Sequence, residues 1–289
     1  MTDTLDEIDT KVEVEADTEQ TTARDRPKIF GILNVTPDSF SDGGQWNEPD
    51  DAIRHAVELH ESGADIIDVG GESTRPGADP VDEDEEHDRV IDIVRALVER
   101  NITVSVDTMR ASTAALAIEA GASIINDVSG GQNDPEMFRL IAASDVDYSL
   151  MHWRGLTHRT GQFENVVAEV RDDLKYRLAE LIIWGADPSR IILDPGIGFG
   201  KTADENWALL GHLDELATLQ QRVLVGVSRK RLLAPFAEPD AAPAERDAAT
   251  ATLSALAAQA GVWAVRVHNV DATRATLDVW QAWERGSAL

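Results

Sequence analysis

The chain contains no cysteine. Disulfides, thiolate nucleophiles and cysteine-ligated metals are therefore excluded, and a cytoplasmic location fits. No apolar run approaches the roughly 18 residues of a membrane span. The N-terminus lacks the basic region and apolar core of a secretory signal, which argues against export. Positive charge is scarce: 26 Lys and Arg stand against 53 Asp and Glu, a formal net charge of −27. Nucleic-acid binding calls for a basic surface and is disfavoured. An acidic protein that handles an anion must focus its few cations in one cleft. No Gly-rich loop continues into the GK[ST] of a nucleotide-binding P-loop.

What the chain does have is length and regularity. Its 289 residues are 43% hydrophobic, enough for a sizeable core. Residues 1–27 hold nine acids and three bases with few apolar side chains, and read as a disordered acidic tail. Residues 28–289 read as one domain. Within it, β-type runs at 29–33, 65–70, 102–106, 123–128, 147–151, 190–194, 222–227 and 263–267 alternate with helical patterns. The helical segments are 50–62, 84–100, 111–120, 135–143, 165–184, 204–218, 245–260 and 271–284. Gly-Ala recurs at 63–64, 121–122 and 185–186, each time before a strand, as helix-stop chemistry. Eight β runs each followed by a helix is the count of an α/β fold of the (β/α)8 TIM-barrel type, with a doubly wound sheet as the alternative.

Such barrels carry their sites at the C-terminal ends of the strands. The exits here are NVTPDSFSDGG (34–44), GGESTRPG (70–77), Asp107-Thr108, Asn126-Asp127, Met151-His152, DPGIGFGK (194–201), SRKR (228–231) and Arg266 with His268. Each has a bland reading. Asp107 and Asp194 could be helix N-caps, His152 a satisfied core histidine, Lys230 an offset to surface acidity. Arg229 and Arg231 are expected to divide between packing and the cleft, and most tryptophans to pack in the core. Taken together, the polar exits should converge on one rim. Asp107, Asn126 and Asp194 suit a planar heterocycle, whose amino and ring N–H groups one carboxylate can hold bidentately. Lys230, Arg266 and His268 follow strands 7 and 8, where barrels commonly bind phosphate. Asn34 closes the ring beside strand 8, where an amide oxygen could help hold Mg²⁺ together with substrate phosphates.

These motifs resemble dihydropteroate synthase. NVTPDSFSDGG (34–44), DVGGESTRPG (68–77), Asp107-Thr108, NDVSGG (126–131), Met151-His152, DPGIGF (194–199), SRKR (228–231) and Arg266-Val267-His268 fall in that family's order over residues 28–285. The resemblance implies a folate-pathway transferase that joins p-aminobenzoate to 6-hydroxymethyl-7,8-dihydropterin diphosphate. It implies that Asp107, Asn126, Asp194 and Lys230 bind the pterin, with Met151 and Phe199 counted among the substrate contacts. It implies that Arg266 and His268, with Asn34 and Mg²⁺, hold the diphosphate, and that Phe40, Thr74, Arg75 and Pro76 belong to loops around p-aminobenzoate. Asp107, Lys230, Arg266 and His268 are the expected catalytic set. A homodimer built through barrel helices is also implied. The rivals are a non-catalytic pterin-binding paralogue, a corrinoid-methyltransferase barrel and a purely structural barrel; the full set of cations and loop residues speaks against each.

Overall fold

The computed structural model describes residues 24–35, 49–72, 81–155 and 163–287. Residues 1–23 of the expected tail lie outside the described residues, as do Phe40, Thr74, Arg75 and Pro76.

Eight parallel strands close into a barrel in sequence order. They are β1 (Lys28–Asn34), β2 (Ile66–Gly70), β3 (Val104–Asp107), β4 (Ile124–Asp127), β5 (Asp147–Met151), β6 (Ile191–Asp194), β7 (Arg222–Val225) and β8 (Ala264–Val267). Each lies within or beside its expected run. The α/β barrel reading therefore holds and the doubly wound alternative does not. The surrounding helices are α1 (Pro49–Glu61), α2 (Glu83–Val98), α3 (Ala111–Glu119), α4 (Met137–Ala142), α5 (Val166–Trp184), α6 (Ala203–Leu210), α7 (Asp214–Ala217), α8 (Asp247–Gln259) and α9 (Val270–Ser287). No described helix is long and apolar enough to cross a membrane.

Local chemistry explains the boundaries. Asp82 caps α2 by accepting from the Asp84 amide at 3.1 Å, and four acids fill the first turn. Thr202 and Glu205 form a reciprocal capping box at α6. The Gly of each Gly-Ala pair takes a positive φ, as in the left-handed cap Gly185 that ends α5. The segment expected as one helix over 204–218 breaks instead into α6 and α7. The α6 C-cap is Gly211, a poor helix former, and the chain turns before α7 resumes.

Strand alternation builds the site. Outward side chains such as Ile29, Val69, Val104, Ile125 and Leu193 join the large core between barrel and helices. A separate cluster of Phe30, Ile66, Ile124, Ile192, Leu224 and Ala264 plugs the barrel. Two residues further along the same strands, hence on the same face, stand Ile32, Asp68, Asn126, Asp194, Gly226 and Arg266. An apolar floor thus carries a mostly polar layer directly above it, at the strand exits.

Two expectations need correction. The tail does not run to residue 27 as loose chain: Arg24 pairs with Glu284 at 2.8 Å and Arg26 with Asp65 at 2.8 Å, so the barrel takes hold of the chain by residue 24. Nor are most of the described tryptophans buried in the core: Trp153, Trp207 and Trp263 are half-buried. Trp280 is buried, but Trp184 and Trp283 are 52% and 75% exposed, because they sit on the outer faces of α5 and α9.

Candidate active site

The barrel mouth is organised around Arg266. From β8 its Nε donates to Asp68 Oδ2 at 2.5 Å and its Nη2 to Asp107 Oδ2 at 2.7 Å. Asn126 Nδ2 reaches the same Asp68 oxygen at 3.2 Å. Four strands are tied across the barrel by these three bonds. Burial disfavours the Arg266 charge, but Asp68 and Asp107 outweigh it and hold the guanidinium firmly protonated. Burial also pushes the Asp107 carboxyl from the usual 3.8 up to about 7, against the pull of Arg266 and helped by Asp68. Asp107 Oδ1 and Asp68 Oδ1 are buried and have no hydrogen-bond partner among the described residues, and the same is true of the hydroxyls of Ser105 and Ser149.

On the facing side, Asp194 ends β6. Burial raises its pKa, opposed chiefly by Lys230. Its Oδ1 accepts from the Gly196 amide at 2.7 Å and so begins the 195–200 turn. Gly196 has φ +65°, and a Cβ there would lie 2.3 Å from the His152 carbonyl oxygen, so no other residue fits. Lys230 donates to the Ile197 carbonyl and sits 4.8 Å from the Phe199 ring centroid. Burial lowers its ammonium to about 8, with Asp194 resisting the change. Neither Asp107 nor Asp194 is a helix cap, since α3 begins without a side-chain cap and α6 is capped by Thr202.

Asn34, Gly70 and Asp107 stand in one row of the sheet. A Cβ on Gly70 would meet Asp107 Cβ at 3.5 Å and Asn34 Oδ1 at 3.9 Å. The missing side chain leaves room between the amide and the carboxylate. His268 Nδ1 lies 2.9 Å from Ser228 Oγ, which also accepts the His268 amide at 3.1 Å. Met151 is buried beside Asp194 in the β5–β6 register. Arg229 is spent on Asp247 at 2.8 Å, while Arg231 faces outward. Among the described residues no three His, Asp or Glu side chains converge to hold a metal.

The sequence reading missed two buried groups here. Asp68 is a fully buried acid in the middle of an apolar strand, and that placement was the signal. Lys201 follows the glycine turn and is also buried, with burial lowering its ammonium to about 7. His152 is a core histidine with both ring nitrogens engaged, by Lys201 and Asp173.

This arrangement has known counterparts. The pterin-binding enzyme family matches residues 30–268. Dihydropteroate synthase of Mycobacterium leprae is 47% identical over 264 residues, covering 89% of this chain and 93% of that one. A structure of Xanthomonas albilineans dihydropteroate synthase with 4-aminobenzoic acid superimposes with a TM-score of 0.85 at 42% identity, covering 90% of this chain and 94% of that one. The same enzyme in complex with 7,8-dihydropteroate gives 0.81 at 39% identity, with the same coverage of both chains. Barrel, polar mouth and sequence agree, and the chain belongs to the pterin-binding enzyme family, among the dihydropteroate synthases.

Proposed function

We propose that the chain condenses 6-hydroxymethyl-7,8-dihydropterin diphosphate with p-aminobenzoate, releasing 7,8-dihydropteroate and diphosphate. The observation that carries this reading is the Arg266 assembly. One cation is held by two carboxylates in an otherwise acidic protein, and Asp107 has a second, buried oxygen that accepts no hydrogen bond from any of the described residues. A buried acceptor without a donor invites a ligand N–H. A pterin supplies several, from its amino group and ring nitrogens, and Asp194 and Asn126 line the same layer. Met151 and Phe199 offer apolar and aromatic surface to the ring.

Arg266, His268 and Asn34 stand on β8 and β1, where the diphosphate would leave. The Arg266 charge, with the N–H donors of all three side chains, opposes the charge that develops on the departing oxygen. In the reaction the methylene–oxygen bond breaks and the bonding pair goes to diphosphate. Asp107, once ionised, stabilises the positive charge then shared by the methylene and the ring. The aryl amine donates its lone pair to the methylene, and its surplus proton passes to solvent or to diphosphate. Such an amine is a weak nucleophile, so positioning contributes more than a general base.

Mg²⁺ fits only with substrate bound. Asn34 gives one neutral oxygen, which matches a hard cation that keeps its waters and takes the rest of its ligands from phosphates. Held there, the ion would neutralise diphosphate charge. Leu256 on α8 with Val279 and Trp283 on α9 expose apolar side chains, which supports a homodimer through these helices. The lack of cysteine supports a cytoplasmic setting.

Arg266→Ala tests the assignment. It should weaken binding of 6-hydroxymethyl-7,8-dihydropterin about tenfold, because Asp68 and Asp107 lose their buried partner, and binding of the pterin diphosphate about a thousandfold, as titration calorimetry would report. Equal losses for the two ligands would move the anion site elsewhere.

A further inference from the structure

Behind the 195–200 turn lies a buried cation that the proposed chemistry does not use. Lys201 is 6% exposed. Its Nζ is 3.0 Å from His152 Nδ1, 2.9 Å from the Gly196 carbonyl and 3.2 Å from the Phe199 carbonyl. Three acceptors surround a group with three protons. Because His152 Nδ1 accepts from Lys201, its proton resides on Nε2, which donates to Asp173 Oδ2 on α5 at 3.2 Å. Burial keeps the imidazole neutral, holding it down to about 4. Phe163 closes this assembly from outside. Its ring centroid is 6.0 Å from Lys201 Nζ and 6.0 Å from the His152 ring, and the Arg154 guanidinium lies 3.9 Å from it.

The turn faces the pterin layer through its other atoms. Lys201 binds the carbonyl of Gly196, and the amide of the same residue binds Asp194. The intervening Ile197 carbonyl receives Lys230, and the Phe199 ring lies beside the Lys230 ammonium. The turn is further held by Asn206 of α6, whose Oδ1 accepts the Gly198 amide at 2.6 Å. Removing the Lys201 ammonium would take that donor from the Phe199 carbonyl and the His152 ring nitrogen and leave the Gly196 carbonyl with the Phe199 amide alone, at 3.1 Å, which loosens the turn.

We propose that Lys201, oriented by His152 and Asp173, is a positioning residue that fixes the 195–200 turn and thereby aims Asp194 and Lys230 at the pterin. This rests on the pterin reading above. None of the three residues touches substrate in that reading, so their loss should be felt through pterin affinity and not through the anion site on β8.

The test is calorimetric titration of the wild type, Lys201→Met and Asp173→Leu with pterin-6-carboxylate and, separately, with inorganic diphosphate. Lys201→Met should raise the pterin Kd about tenfold, the equivalent of one buried hydrogen bond, and leave the diphosphate Kd within about twofold. Asp173→Leu alters a half-exposed side chain and should raise the pterin Kd about threefold, with diphosphate unchanged. If Lys201→Met does not fold, Asp173→Leu decides alone. An unchanged pterin Kd in the folded variants, or equal loss of both ligands, overturns the proposal. Failure of the wild type to bind pterin-6-carboxylate overturns instead the pterin reading, and the proposal with it.

Discussion

Asp107 shows how burial, and not a single neighbour, sets the chemistry of a side chain. Its carboxyl titrates near 7 although Arg266 is 2.7 Å away, because the barrel interior withholds water from it. The consequence for stability has a definite sign. Between about pH 4 and 7 the folded chain keeps a proton that the unfolded chain has released, so this group's contribution to stability falls as pH rises through that window. Asp107→Asn removes the effect. The difference in unfolding free energy, variant minus wild type, should therefore be more favourable at pH 8 than at pH 5 in urea titrations; a difference independent of pH would refute this. At this scale the sequence exposed the polar exits well, since Asp107, Asn126, Asp194, Lys230 and Arg266 each end or follow an apolar run. It hid Asp68, whose importance depends on a partner nearly two hundred residues away, and Lys201, whose exposure no local pattern reveals.

Elements carry the site because their ends are tied to one another. Arg110, at the start of α3, donates to Glu86 of α2 at 2.7 Å, to Glu72 after β2 at 2.5 Å and to the Val81 carbonyl at 2.7 Å. Glu86 is buried and also accepts from Thr113 at 2.9 Å. One guanidinium thus joins α2, α3 and the chain on both sides of residues 73–80. Arg110→Met should cost about 3 kcal/mol in unfolding free energy, because Glu86 would remain buried with only a hydroxyl as partner. Adding Glu86→Gln should recover part of that loss. A cost below about 1 kcal/mol for Arg110→Met would show that Glu86 is readily solvated. Strand positions were legible because parallel barrel strands are short continuous apolar runs, and helix stops because glycine marks them. The break between α6 and α7 was not, since Gly211 and His212 interrupt a pattern whose apolar spacing continues on both sides.

For the whole molecule, the eightfold alternation was enough to read a closed barrel, and the strand exits were enough to place the site at one mouth. The ties across that mouth, from Arg266 to Asp68 and Asp107, depend on closure and became visible only in three dimensions. The charge of the mouth is likewise set by closure: Arg266 and Lys230 stand there among the buried acids Asp68, Asp107 and Asp194, in a protein of net charge −27. The most direct measurement is dihydropteroate formation by the purified chain, with 6-hydroxymethyl-7,8-dihydropterin diphosphate, p-aminobenzoate and Mg²⁺ supplied and released diphosphate counted in the same samples. The account predicts one diphosphate per dihydropteroate, both suppressed by a sulfonamide that competes with p-aminobenzoate. Tight binding of the pterin diphosphate with neither product formed would contradict it and would leave a barrel that holds pterin without transferring it.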